Sequence, residues 1–319
     1  MTHLPLVTRR TALAFALPLA LPLALPLALL AACGEKTPEA VVDAPMAVVS
    51  TGLKTPESVL WDATRNVWYV TNINGSPLGK DDNGFIVRLD SIGVAMDSVP
   101  FINGGDADIT LNAPKGMALV GDTLYVADID AVRSFDVTTG TQIATVEMTA
   151  QGATFLNDVA VGTDGTVYIT DSGISFDSTG AVLHPSKSRI FKLVAGVASE
   201  AVVLPAQSAA NGLAWDSARG AWLIVGFNSP NVFSWTPTAD SVEVLGSGPG
   251  DGDGILVLAD GRALYSSWAD SSLNIFANGT TTTLRKGLPA PADLGYDAAR
   301  GLVAVPLFQN DRVEIWAVK

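Results

Sequence analysis

Residues 154–171 read TFLNDVAVGTDGTVYITD, and this stretch decides the fold. Two polar residues, Asn157 and Asp158, open a short apolar run, Val159 to Val161. A turn follows at Gly162-Thr-Asp-Gly165, with Asp-Gly where a tight hairpin favours it. A β-branched and aromatic run, Thr166 to Thr170, then ends at Asp171. The unit is a polar residue, an inner strand, a turn, a second strand and a polar loop.

Laid along the chain, the unit occurs six times. Its openings are Glu57-Ser-Val-Leu-Trp61, Lys115-Gly-Met-Ala-Leu119, Asn157-Asp-Val-Ala-Val161, Asn211-Gly-Leu-Ala-Trp215, Asp253-Gly-Ile-Leu-Val257 and Ala292-Asp-Leu-Gly-Tyr296, spaced 58, 42, 54, 42 and 39 residues apart. Each is followed by a third strand, such as Arg189 to Leu193, and most by a fourth, such as Ala201 to Leu204. A four-stranded unit repeating near 40 residues is the period of a β-propeller blade. No long stretch has helical periodicity, which disfavours a parallel α/β fold. The sixth copy ends with three strands, and Met46 to Leu53 is a spare strand before the first copy. The expectation is an all-β, six-bladed β-propeller over residues 46–319. The N-terminal strand closes it as the outer strand of the last blade, leaving no exposed sheet edge.

The chain has 319 residues, 48% apolar and only 16% charged. Part of the apolar excess lies in residues 1–33. Arg9 and Arg10 precede an apolar run, Thr11 to Ala32, which ends in Leu30-Ala31-Ala32-Cys33. A basic start followed by an apolar core is the order of a signal peptide. The ending resembles the bacterial lipobox, in which the signal is cleaved before a cysteine that becomes lipid-modified. Cys33 is the single cysteine, which suits that role and rules out an internal disulfide. An uncleaved anchor is the alternative, disfavoured by Pro18, Pro22 and Pro26. These features lead us to expect a monomeric lipoprotein of the cell envelope, facing the periplasm or exterior. The lipid alone would hold it to the membrane, with residues 34–45 as a tether. Cleavage leaves 17 Lys+Arg against 32 Asp+Glu. So acidic a surface repels phosphate backbones and excludes a nucleic-acid partner.

Topology places the site. In a four-stranded meander the inner strands start at one end of the ring, and the loops from second to third strand lie at that same end. Glu57, Lys115, Asn157, Asn211, Asp253 and Ala292 therefore converge at the mouth of the central channel. Four of them offer a hard oxygen, and their two carboxylates balance a divalent cation. Calcium takes six to eight oxygens at roughly 2.3–2.6 Å, so waters or Asp158 would complete the shell. Zinc wants nitrogen or sulfur, and His184 is the only histidine after the signal segment. Any one of these residues alone reads as a turn cap; four at one blade position point to an ion.

At these motifs, over residues 46–319, the chain resembles the senescence marker protein / gluconolactonase / regucalcin-like propellers. The resemblance implies a divalent metal, often calcium. Its ligands would be Glu57 in Pro56-Glu57-Ser-Val-Leu-Trp61, Asn211 in Asn211-Gly-Leu-Ala-Trp215 and Asp253 in Asp253-Gly254-Ile255, with Asn157 in Leu156-Asn157-Asp158 beside it. Leu156 to Gly162 also resembles paraoxonases, and Tyr168 to Ser172 the strictosidine synthase-like group. Gluconolactonase-like members carry an arginine two residues before the third-blade Asn, where this chain has Phe155, which argues against a sugar lactone. Paraoxonases use a histidine pair, which this chain lacks.

The implied activity is calcium-dependent hydrolysis of a small-molecule ester or lactone. Asp253 or Asp158 would orient or deprotonate water, with Lys115 and Phe155 at the substrate. Lys115 would either pair with Glu57, Asp158 or Asp253, or hold an anion or oxyanion. The alternative is a non-catalytic, NHL-like propeller that binds a ligand or protein on its loop face, since propellers host many functions. Three long segments, 72–83, 103–113 and 172–188, are expected at the site end, the last carrying His184. The Asp-rich turns at the other end read as structural, and Trp61, Trp68, Trp215, Trp222 and Trp235 as packing between blades.

Overall fold

The computed structural model describes residues 44–318. Residues 1–43, with the signal segment, Cys33 and most of the tether, lie outside the described residues. The described residues form six four-stranded antiparallel sheets, each a meander, in a six-bladed propeller. The inner strands are Pro56–Asp62, Pro114–Val120, Leu156–Val161, Ala210–Asp216, Gly252–Val257 and Gly295–Asp297. Closure is as expected: Ala47–Val49 pairs with the last strand, Arg312–Ala317, with Val49 opposite Val313. The closing strand is shorter than expected because the chain turns at Gly52, φ 76°. Two features were not anticipated: the two-residue outer strand Ile102–Asn103 of blade 1, and a hairpin, Ser175–Phe176 with Val182–Leu183, inside the 172–188 segment.

The core lies between blades. Trp68 packs with Val59 of its own blade and with Leu302 and Ile315 of blade 6. Trp222 and Trp235 pack against Tyr168 and Ile190 of blade 3. Both Trp68 and Trp222 are fully buried. At the turns leaving the inner strands, Asp62, Asp216 and Asp297 each accept two backbone amides and pair with Arg65, Arg219 and Arg300. These turns are structural, as expected of Asx turns.

One irregularity repeats in every blade and positions the site. Pro56 opposes Asn72 but Val59 opposes Val70, so Glu57 and Ser58 face the single residue Thr71. The same slip falls at Lys115-Gly116, Asn157-Asp158, Asn211-Gly212 and Asp253-Gly254. Blade 6 slips likewise between Pro291, bridged to Leu307, and Gly295, paired with Ala304. Such a bulge re-aims side chains. Here it separates the directions of two neighbouring residues. Hydroxyls on the second strand satisfy the bulge amides: Ser58 N donates to Thr71 at 2.9 Å, Asp158 N to Thr170 at 2.8 Å and Gly254 N to Ser266 at 2.8 Å.

The second bulge residue faces the next blade at close range. A Cβ on Gly116 would stand 2.5 Å from Asp158 Cα, and one on Gly254 2.6 Å from Asp293 Cα. Those neighbours are backbone and cannot step aside. Gly254→Ala is therefore expected to cost about 1–3 kcal/mol through overpacking. It should read as a lower urea midpoint at unchanged slope; an unchanged midpoint would contradict this close approach of the inner strands.

Candidate metal centre and cavity

The bulges bring five of the six opening residues, Glu57, Lys115, Asn157, Asn211 and Asp253, to the wall of one cavity of about 190 Å³. Ala292 is the exception. It has no donor to offer, and its carbonyl accepts the Ser266 hydroxyl at 2.9 Å. All four oxygen donors named from sequence thus line one space, as do Lys115 and Phe155.

Three of those donors have a buried oxygen with no hydrogen-bond partner among the described residues: Glu57 Oε2, Asn211 Oδ1 and Asp253 Oδ1. Each such atom costs about 1–3 kcal/mol unless something satisfies it. The fourth, Asn157, is held by its nitrogen end: Nδ2 donates to Ser172 Oγ at 3.4 Å, and that hydroxyl donates to the Ala210 carbonyl at 2.7 Å. Among the described residues no three His, Cys, Asp or Glu side chains gather as a ligand cluster by themselves. The two amides are therefore essential to the set. Two carboxylates and two amide carbonyls, all oxygen, fit a hard divalent cation with waters in its remaining positions.

The electrostatics agree. Burial pushes the Glu57 carboxyl well above the usual range, and Asp253 and Asp293 add repulsion. Asp253 is raised by burial and by Asp293, while the nearby Trp268 and Asn211 side chains oppose the shift. Asp158 is likewise raised by burial and by Asp293. Burial raises Asp293 to about 6, against the Ser58 hydroxyl and Leu294 amide that favour its charge. Four buried carboxyls thus share one channel with one ammonium.

A pH dependence follows. A raised carboxyl pKa means that the fold favours the neutral form. That stability is present below the unfolded pKa and is lost as pH rises through the folded one, about 3 kcal/mol for Asp293 alone. The melting temperature of chelator-treated protein should therefore fall between pH 4 and pH 7. The exposed carboxyls that are lowered, such as Asp136 and Asp164, act below that window. Calcium at pH 7 should restore the loss. A flat or rising profile in chelator would contradict this account of the channel.

Lys115 is 1% exposed. Its Nζ donates to the carbonyls of Pro77 at 3.1 Å and Ala113 at 3.0 Å and stands 4.5 Å from the centre of the Phe155 ring. The expected ion pair with Glu57, Asp158 or Asp253 is not formed. Burial lowers its pKa to about 8, opposed by Glu57, Asp128 and Asp130.

Asp158 stands elsewhere than expected. It does not line the cavity, and its oxygens accept the amides of Val159 and of Leu213 in blade 4, both at 2.7 Å. The bulge turns Asn157 into the cavity and its neighbour into the seam between blades. A catalytic or ligand role for Asp158 is thereby replaced by a structural one. His184 also lies outside the cavity lining; its Nε2 is 3.4 Å from Asn228 Nδ2. Segments 72–83 and 172–188 reach the cavity through Ile73, Pro77, Ile174 and Phe176, whereas 103–113 does not.

No protein-family model and no curated protein matches the chain. Solved structures do. A protein provisionally described as a gluconolactonase aligns over 85% of this chain and 90% of its own, at 15% identity and a TM-score of 0.64. A chain from a nidogen–laminin complex aligns over 73% of this chain and 80% of its own, at 18% identity and 0.55. The likeness is one of fold. It extends to a provisional enzyme and to a member of a protein complex alike, so function rests on the cavity.

The residues that sequence reasoning missed are apolar: Phe227, Trp268 and Phe308, each one step past the end of a second strand. A signal existed. The motifs Gly226-Phe227, Ser267-Trp268 and Leu307-Phe308 occupy one blade position, as Asn72-Ile73 does.

Proposed function

We propose that this chain is a hydrolase of esters or lactones that depends on a divalent cation, calcium being the best match to its donors. The observation that carries the reading is the set of partnerless buried oxygens on Glu57, Asn211 and Asp253, facing one cavity beside the Lys115 ammonium. Glu57, Asn157, Asn211 and Asp253 would hold the ion. Once bound, it would supply Lewis-acid polarisation of a carbonyl.

The chain's own groups account for the rest. Lys115, held by two carbonyls and mostly protonated at pH 7, stabilises negative charge on the carbonyl oxygen. Asp253 orients the water and accepts its proton. Water oxygen bonds to the acyl carbon and the acyl C–O bond breaks. The proton passes to the departing alkoxide, giving a carboxylic acid and an alcohol, or one hydroxy acid from a lactone. The apolar walls of the cavity lower the effective dielectric beside these groups, which strengthens each of these interactions.

The test is metal content of the purified protein, then calcium titration of its melting temperature, then turnover of ester and lactone panels with and without chelator. Calcium-dependent stabilisation and chelator-sensitive turnover are expected. Calcium binding without turnover on a broad panel would replace the hydrolase reading by that of a ligand-binding propeller. Turnover indifferent to chelator would remove the ion from the mechanism. The envelope lipoprotein reading remains a separate proposal, tested by labelling with radioactive palmitate and its loss in Cys33→Ser.

A further inference from the structure

The cavity has two halves of different chemistry. Its floor is the polar ring described above. Its walls come from the residues that follow the second strands. Ile73, Phe227, Trp268 and Phe308 occupy equivalent places, each donating its amide to the segment before the inner strand: to Thr55, Ala209, Asp251 and Ala290, at 2.9–3.1 Å. Phe227 meets Trp268 edge-on at 5.1 Å, and Trp268 meets Phe308 at 5.2 Å, so blades 4 to 6 present one continuous aromatic arc. At the Phe227 end of the arc, Phe155 belongs to the cluster against which Phe227 packs; it lies against the Lys115 ammonium and meets Phe176 of the hairpin edge-on at 6.1 Å.

Size and polarity narrow the ligand. An apolar cavity of about 150 Å³ holds one benzene ring. The present space, about 190 Å³, has room for one ring and a few further atoms. A hydroxyl desolvated against such walls without a partner costs about 1–3 kcal/mol, and a sugar brings several. The wall that would have to satisfy them is ring face and ring edge, with a single donor, Trp268 Nε1, which lies towards Asp253.

We propose that the Phe227–Trp268–Phe308 arc is a specificity determinant that selects a neutral substrate whose carbonyl bears one hydrocarbon ring or a chain of similar size, and that rejects polyhydroxylated lactones. The carbonyl lies at the Lys115 floor and the hydrocarbon against the arc. This rests on the hydrolase reading for its chemistry, but the arc is tested by binding alone.

The probe is acetophenone, a ketone that cannot be hydrolysed, titrated calorimetrically into the full protein with calcium, with δ-gluconolactone turnover measured in parallel. Acetophenone is expected to bind. Phe227→Ala should weaken it at least tenfold while the calcium-induced rise in melting temperature persists. Phe227→Leu keeps an apolar side chain and most of the volume should the alanine variant fail to fold, and it should weaken binding by a smaller factor. Absence of acetophenone binding, or binding unaltered in both variants, overturns the arc. Turnover of gluconolactone without acetophenone binding would do so while leaving the hydrolase standing. Acetophenone binding sensitive to Phe227, with no ester or lactone hydrolysed, would keep the arc and remove the hydrolase.

Discussion

Asp253→Ala should abolish calcium-dependent stabilisation and lower ester or lactone turnover by at least about 10²–10³-fold, the loss typical of removing one group that stabilises a developing charge. The substitution removes one of the two carboxylates among the four donors and with it half of the charge that balances a divalent ion. Its effect on stability has opposite signs in two conditions. In chelator at pH 7, Asp253 adds repulsion to Glu57 and carries a partnerless buried oxygen. Removing it should leave the melting temperature unchanged or raise it. In saturating calcium the wild type gains the linkage term that the variant has lost, so the order reverses. Asp253→Asn, which keeps an oxygen donor and removes the charge, should fall between. Turnover retained in Asp253→Ala, or a variant less stable than the wild type by the same margin in chelator and in calcium, would contradict the assignment.

How far the site was legible in the sequence depends on what a strand pattern can encode. The oxygen-bearing residue opening four of the six units was readable as a donor because the repeat fixes its slot: Glu57, Asn157, Asn211 and Asp253 meet at one cavity even though up to 196 residues separate them. The bulge was not readable. Alternation along a strand sends neighbours to opposite faces, but it does not reveal that two inner residues oppose one. Asp158 could therefore be offered alongside Asn157, to complete the shell or to activate water, whereas one enters the cavity and the other clamps Leu213. Of the two roles open to Lys115, pairing with a carboxylate is the one not formed, for a related reason. Charge counting pairs an ammonium with a carboxylate; the fold instead places it between two carbonyls whose position depends on loop geometry. The hairpin carrying Phe176 is held by two residue pairs, too short a ladder to leave a strand signature.

Asp171→Ala is expected to be the most destabilising substitution, at about 3–5 kcal/mol, because it strands a buried charge. Asp171 ends the second strand of blade 3 and is fully buried. Its Oδ1 accepts the amides of Thr154, Phe155 and Gly173 at 3.0–3.3 Å, and its Oδ2 accepts Arg189 Nε and Nη2, both at 3.2 Å. Arg189 is 6% exposed, so without Asp171 its guanidinium keeps only the Gly152 carbonyl, Ser186 and the half-exposed Glu200. Blade 2 repeats the device: Asp128 accepts the amides of Asn112 and Ala113 and pairs with Arg133. In both blades the carboxylate fixes the short segment that enters the inner strand, and those segments deliver Phe155 and Lys115 to the cavity. Asp171→Asn keeps an acceptor for the amides and loses the charge, so it should cost less than the alanine variant. Both are read as unfolding free energies in urea. A loss below about 1 kcal/mol for Asp171→Ala would mean that the segment holds itself. A large loss, with turnover falling further than the unfolded fraction explains, would show that the acid in the wall of blade 3 sets the geometry of the Phe155 ring at the site.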